Sequence, residues 1–184
     1  LTPGTDVLVP AAARVGSWVT DLYVLNPQSS AVTVTVSWLV RRQPNPSPAG
    51  FTFVLEPGAT RFIDDVIWSE LGLDEGEGAF RVEADADVLV SCRIYSRDDG
   101  KTFGQGFEGT PATRATSAGQ VSDVVGLVAN AGFRTNIYAL AGSGGATFVA
   151  SLRDESGVEL ASRVYSLGSY QPMLGNILTE LGGP

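Results

Sequence analysis

The chain has 184 residues, enough for one large or two small domains that each bury a core. Its 43% hydrophobic and 17% charged residues exclude wholesale disorder, and a net charge of −8 argues against nucleic acid or an anionic membrane surface as partner. The absence of histidine removes Ser-His-Asp and Cys-His catalysis and the common zinc constellations, while no apolar run reaches bilayer length.

In chain order, Trp18 to Leu25 is rich in β-formers and stops at Asn26-Pro27, where proline ends a hydrogen-bond ladder. Val32, Val34, Val36 and Trp38 alternate with Thr33, Thr35 and Ser37, which predicts a half-buried strand. Pro44, Pro46 and Pro48 predict an extended, exposed and unpaired loop over residues 41–50. Phe51, Phe53 and Leu55 form the next strand, closed by Pro57-Gly58. Ile63, Val66, Ile67 and Leu71 share a helical stripe, with Asp64 or Asp65 near its start and Gly72 at its end. Residues 79–83 and 88–97 predict a hairpin across Asp85-Ala86-Asp87, followed by an Asp99-Gly100 turn into residues 102–107. Residues 108–120 lack large apolar side chains and read as a linker. Strands are predicted over 121–128, 133–140, 146–153 and 158–166, then a short helix over 174–181 that closes at Gly182-Gly183.

Part of this pattern occurs twice. Trp18-Val-Thr-Asp-Leu-Tyr-Val-Leu25 returns as Phe133-Arg-Thr-Asn-Ile-Tyr-Ala-Leu140, Ala31–Trp38 is echoed by Gly145–Leu152, and Ile67–Gly72 by Ile177–Gly182. Residue types persist at apolar, turn and cap positions, the mark of a duplicated fold. The expectation is an all-β chain of two related antiparallel sandwich units, each with one short helix: residues 1–107, a linker at 108–120, and residues 121–184. The second unit stops before a counterpart of the first unit's last hairpin, so it is expected to be incomplete at its C-terminus. Thr5 to Val15 is then a candidate donor strand for exchange between chains. Because the chain opens at Leu1, it reads as a processed or excised segment.

No catalytic constellation is repeated. Lys101 is the single lysine and sits in a turn-like Asp98–Lys101, which gives little support to a Ser–Lys dyad. The carboxylate groups Asp64-Asp65, Asp85/Asp87 and Asp98-Asp99 lie at a helix start or at turns, where capping and solvation explain them. Asp74, Glu75 and Glu77 are the candidate calcium ligands, without EF-hand spacing. Asp21 is replaced by Asn136 in the second copy, so a structural hydrogen bond is expected of it. Cys92 alternates with Val88, Val90 and Ile94 and is expected to be a buried small apolar residue. Trp18, Trp38 and Trp68 are matched by Phe133, Leu152 and Leu178, which predicts core packing for all three, and Tyr23 and Tyr138 follow the same pattern.

Trp18-Val-Thr-Asp-Leu-Tyr-Val-Leu-Asn-Pro27, Glu56-Pro-Gly-Ala-Thr60, Gly78-Ala-Phe-Arg-Val82, Ser91-Cys-Arg-Ile-Tyr-Ser96 and Thr102-Phe-Gly-Gln105 resemble tandem immunoglobulin-like β-sandwich repeats of large secreted and cell-surface bacterial proteins. The resemblance covers most of the chain, and its motifs are structural. It implies export and a non-enzymatic scaffold or adhesive role, with other copies of the chain or neighbouring surface-protein domains as partners. The competing expectation is a carbohydrate- or calcium-binding accessory module of a larger secreted enzyme.

Overall fold

A computed structural model of the chain describes residues 1–98, 103–128, 130, 132 and 134–182. The expected Asp99-Gly100 turn, Lys101, Thr102, Phe133 and Gly183 lie outside the described residues. The architecture is all-β and antiparallel. In order come β1 (Gly4–Arg14), β2 (Trp18–Leu25), β3 (Val32–Val40), β4 (Gly50–Leu55), β5 (Thr60–Ile63), α1 (Val66–Ser69), β6 (Gly76–Ser96), β7 (Gly104–Glu108) and β8 (Thr110–Pro111).

The 21-residue strand β6 organises this body. Its first half lies between β1 and β3, with Val82 opposite both Val7 and Val36. Its second half lies between β2 and β7, with Cys92 opposite Leu22 and Phe107. One layer therefore runs β4-β3-β6-β1-β8, and the other runs β5-β2-β6-β7. Val9, Leu22, Val24, Val34, Val36, Ile67, Phe80, Val82 and Val90 meet between the layers in one cluster, each at most 1% exposed. The indole of Trp38 lies across the start of β6, its ring 5.2 Å from that of Phe80. Gly76 and Gly78 make room for it: a Cβ on Gly78 would come within 2.9 Å of Trp38 Cη2 and collide with the Leu39 carbonyl.

Several sequence expectations change here. The hairpin across Asp85-Ala86-Asp87 does not form, because β6 continues through it, with a register shift against β1 between Glu83 and Val88. Phe80, Val82, Ala84, Ala86, Val88, Val90, Cys92 and Ile94 all turn to the same side, so the period of two never breaks. Asp85 accepts the Thr33 N–H (3.0 Å) instead of turning the chain. Thr5 to Val15 is not a spare donor: Gly4–Arg14 is paired with β6 and β8. Part of the expected linker over 108–120 is likewise committed, since Thr110-Pro111 pairs with Leu8 and Val7 and a 3-10 turn follows at Ala112–Arg114.

The first helix is a single turn at Val66–Ser69. Ile63 belongs to β5, and Asp65 caps nothing with its side chain; its backbone is left-handed (φ 44°) and its carboxylate turns to Arg14 instead. Gly72 does adopt the expected left-handed conformation (φ 66°), and its N–H reaches the Trp68 carbonyl.

Beyond residue 114 the chain forms β9 (Asn136–Leu140), β10 (Ala146–Arg153), β11 (Glu159–Leu167), β12 (Pro172–Asn176) and α2 (Ile177–Glu180). The expected helix over 174–181 starts later, because Leu174 lies in β12, which pairs with β9. β10 and β11 make a separate two-stranded sheet. The strand expected over 121–128 is absent: Val121, Val124, Val125 and Val128 lie in irregular, exposed chain. β1 stands as a strand because β6 supplies its hydrogen-bond partners, whereas no strand runs beside 121–128 among the described residues.

Candidate functional site

The C-terminal segment repeats two of the three N-terminal pairings that do not involve β6; the third, β1 with β8, has no counterpart among the described residues. β2 pairs with β5 and β9 with β12; β3 pairs with β4 and β10 with β11; a one-turn helix follows each set. A smaller device recurs as well. Thr20 Oγ1 accepts the Ala13 N–H and donates to the Ala13 carbonyl, both at 2.8 Å. Thr135 Oγ1 does the same with Val128, at 2.9 and 3.0 Å. Val128 is thus held by Thr135 as Ala13 at the end of β1 is held by Thr20. Sequence reading missed this latch, although the recurring threonine was its signal.

Packing separates the two segments. Among the described residues, the buried apolar side chains of the C-terminal segment are those of Ala141, Pro172 and Ile177. On β10, Phe148, Ala150 and Leu152 share one half-buried face, where Phe148 stacks on Tyr165 at 5.3 Å. The other face carries Val149 opposite Val164, 63% and 62% exposed, with Val158 and Leu160 nearby and also exposed. Among the described residues β10 pairs only with β11 and β9 only with β12, and residues 121–128 pair with no strand.

The sequence-derived chemistry is dispersed. Asp74, Glu75 and Glu77 are all exposed and do not converge: Glu77 pairs with Arg41 (2.7 Å), and the Asp74 carbonyl accepts from Arg14. No group of three or more metal-ligating carboxylate or thiol side chains converges among the described residues. Asp64 pairs with Arg97, and Asp85 and Asp87 are exposed on β6. Asp98 donates its backbone N–H to Ser96 Oγ (3.2 Å); the other member of that pair, Asp99, lies outside the described residues. Asp21 is buried, and its Oδ1 accepts the N–H of left-handed Asp65 (3.0 Å), the structural bond expected of it. Burial, helped by the charge of Asp64, raises its pKa, although the bond from Asp65 opposes the shift. Cys92 is buried with its Sγ 3.4 Å from the Ala11 carbonyl, and burial pushes its thiol up to about 12.

Of the tryptophans only Trp38 is core. Trp18, 43% exposed, sits at the open start of β2; Trp68, 50% exposed, sits on the outer side of α1 under the Arg14 guanidinium, 5.2 Å from its ring centre. Tyr23 is half-buried on the outer face of its sheet, stacked on Phe62 at 5.0 Å, and Tyr138 meets Phe107 edge-on at 5.2 Å.

The two segments touch through the loop at residues 41–49, which is neither unpaired nor wholly exposed. Asn45 is buried, its Nδ2 bonded to the carbonyls of Val40, Gln43 and Tyr170, its backbone N–H to Ser169. Arg41 Nη2 donates to the Leu174 carbonyl (2.9 Å). Between the segments lies a crevice of about 500 Å³ whose walls include Trp18, Ile94, Phe107, Tyr138, Met173 and the Arg41–Glu77 pair. Burial raises the pKa of Tyr138 there.

The fold is thus an antiparallel all-β, sandwich-like architecture. No protein-family model matches the chain, and no curated protein sequence does. Among solved structures it is similar to the crystal structure of Thermotoga maritima 1070, with a TM-score of 0.50 and 10% identity over 60% of this chain and 97% of that one. At that identity the likeness concerns the backbone course alone.

Proposed function

We propose that the chain is a non-enzymatic structural or adhesive module of a bacterial extracellular or cell-surface protein. It is built from two related immunoglobulin-like copies and acts by association through β-strands. The observation that carries this reading is the C-terminal segment, where Phe148, Ala150 and Leu152 of β10 are only half-buried while the matched Val34, Val36 and Trp38 of β3 are buried, and where β9 and β10 each pair with one strand alone among the described residues. Exposed strand edges next to apolar side chains are templates for pairing with another chain. The repeated pairing order and the repeated threonine latch support descent of both segments from one unit.

Display on the surface of a bacterium that lacks the chain tests this reading. Displayed protein is expected to promote cell–cell or cell–matrix attachment, and Val124→Lys with Val125→Lys is expected to reduce it. Attachment equal to that of cells with an empty display scaffold refutes it.

Exposure of Trp18 and Trp68 favours a second reading, a carbohydrate-binding accessory module, because an open indole offers a face for sugar stacking. Glycan-array binding that Trp18→Ala or Trp68→Ala abolishes would replace the first reading with the second.

A further inference from the structure

We infer that the arch formed by residues 123–127 of one copy seats in the crevice of a second copy, so that two chains exchange arches reciprocally. This rests on the association reading and adds a contact of another kind. Both halves of the contact are present in the chain. The arch is pinned at each end: Ser122 Oγ meets Thr116 Oγ1 at 3.0 Å, and the backbone of Val128 is held by Thr135. Between the pins Gly126 takes a left-handed conformation (φ 77°), and Val124 and Val125 stand 59% and 90% exposed. Adjacent valines held out in water form an apolar contact surface, and a segment already fixed at both ends loses little freedom when it binds.

The crevice is the matching surface. Its volume of about 500 Å³ suits a few side chains rather than a folded element. Trp18, Phe107, Tyr138 and Met173 give it apolar walls, and the arch of the same chain contributes nothing to them. Of its charged groups Arg41 is paired with Glu77, which leaves Arg134, exposed and without an ion-pair partner among the described residues. The arch carries one charge, Asp123, which is likewise exposed and unpaired. Seating the two valines between the apolar walls sets Asp123 against Arg134. Copies that each carry a net charge of −8 repel one another, so association needs a local match of this kind. The latch joins Val128 to Thr135, which lies between Arg134 and Asn136 of the crevice wall, so arch and crevice adjoin. Adjoining complementary patches pair with themselves across a two-fold axis, and both contacts then form together.

Sedimentation equilibrium of the intact chain tests this. The expected result is a reversible monomer–dimer equilibrium that a peptide of residues 119–128 competes away. Asp123→Lys and Arg134→Glu are each expected to weaken the dimer at least tenfold, and a chain carrying both is expected to regain most of that loss, because the charge pair is restored in reverse. Val125→Lys is expected to weaken it as much as either. Val149→Asp, on the outer face of β10, is expected to leave it unchanged. All four positions are exposed, so the substitutions spare the core. A chain that stays monomeric at every attainable concentration refutes the inference, as does a double variant no better than its single parents or equal weakening by Val149→Asp. A peptide that binds the Val125→Lys chain and not the wild type also refutes it, since the arch then fills its own crevice. Dimers without attachment of displayed cells overturn the proposed function alone; attachment by a chain that stays monomeric overturns this inference alone.

Discussion

Leu22 and Ile137 occupy matched positions in β2 and β9, yet Leu22 is 0% exposed and Ile137 is half-buried. Leu22→Ala removes three carbons, a transfer loss of about 2.4 kcal/mol at ~0.8 kcal/mol per methylene. A residual cavity of roughly 50 Å³ adds about 1.2 kcal/mol, for a total near 3.5 kcal/mol. Ile137→Ala forfeits about 1 kcal/mol, because part of its surface already meets water and no closed cavity remains. All three tryptophans lie in the N-terminal segment and Trp38 is in its core, so indole fluorescence reports that body selectively. With a urea slope of about 1.5 kcal/mol per molar, Leu22→Ala lowers the tryptophan-monitored midpoint by roughly 2 M. Ile137→Ala leaves the same midpoint within about 0.3 M of wild type. Equal shifts from the two substitutions would refute the assignment of the main core to the N-terminal segment, since both would then be reporting one cooperative interior.

Three other outcomes follow from geometry already given. Folding raises the Asp21 pKa above its ordinary 3.8, chiefly through burial, so the native state binds that proton more tightly than the unfolded chain. Stability from this group therefore falls as pH rises from about the ordinary value through the raised one. Asp21→Asn, which keeps an acceptor for the Asp65 N–H, should raise the urea midpoint at pH 7 and lose that gain near pH 3; a gain confined to pH 3 contradicts the reasoning. Cys92, buried and with a thiol pushed to about 12, should resist iodoacetamide at pH 8 until urea unfolds the N-terminal body, and rapid labelling of the native chain would disprove its burial. Arg41→Ala removes the bond to the Leu174 carbonyl, worth about 1 kcal/mol, and should speed amide exchange in β9 and β12 about fivefold while sparing β3 and the part of β6 beyond its Glu77 end.

Legibility in the sequence tracked how local the cause was. β2 and β10 lie where the apolar runs and their neighbouring turns put them, and β3, β4 and β11 differ only at their ends. Each of these is set by its own alternation. β5 and β12 were invisible because four or five residues beside a turn carry too little pattern of their own. β6 was divided because Asp85 and Asp87 look like turn residues, although the unbroken parity from Phe80 to Ile94 argued against a turn. Residues 121–128 show the opposite error: β-forming composition did not produce a strand, since a strand exists only by virtue of the chain beside it. Trp18 and Trp68 mislead for a related reason. Large apolar residues recur at both positions in the second copy, yet they shelter the open start of a sheet and the outer side of a helix instead of filling the interior. The buried bond of Asp21 is legible because its replacement by Asn136 preserves an acceptor and discards a charge.

The position of β6 also dictates when the N-terminal body can fold. Gly4 meets Val88 and Trp18 meets Ser96, so the joining contacts are remote in sequence, a topology associated with folding over milliseconds to seconds. At synthesis rates of about 5–20 residues per second, β1 to β5 leave the ribosome several seconds before β6, the neighbour that β1, β2 and β3 share. Until residue 96 has emerged, those five strands can form only transient local hairpins. Translational speed across codons 76–96 therefore controls how long the nascent polypeptide stays open to misassembly.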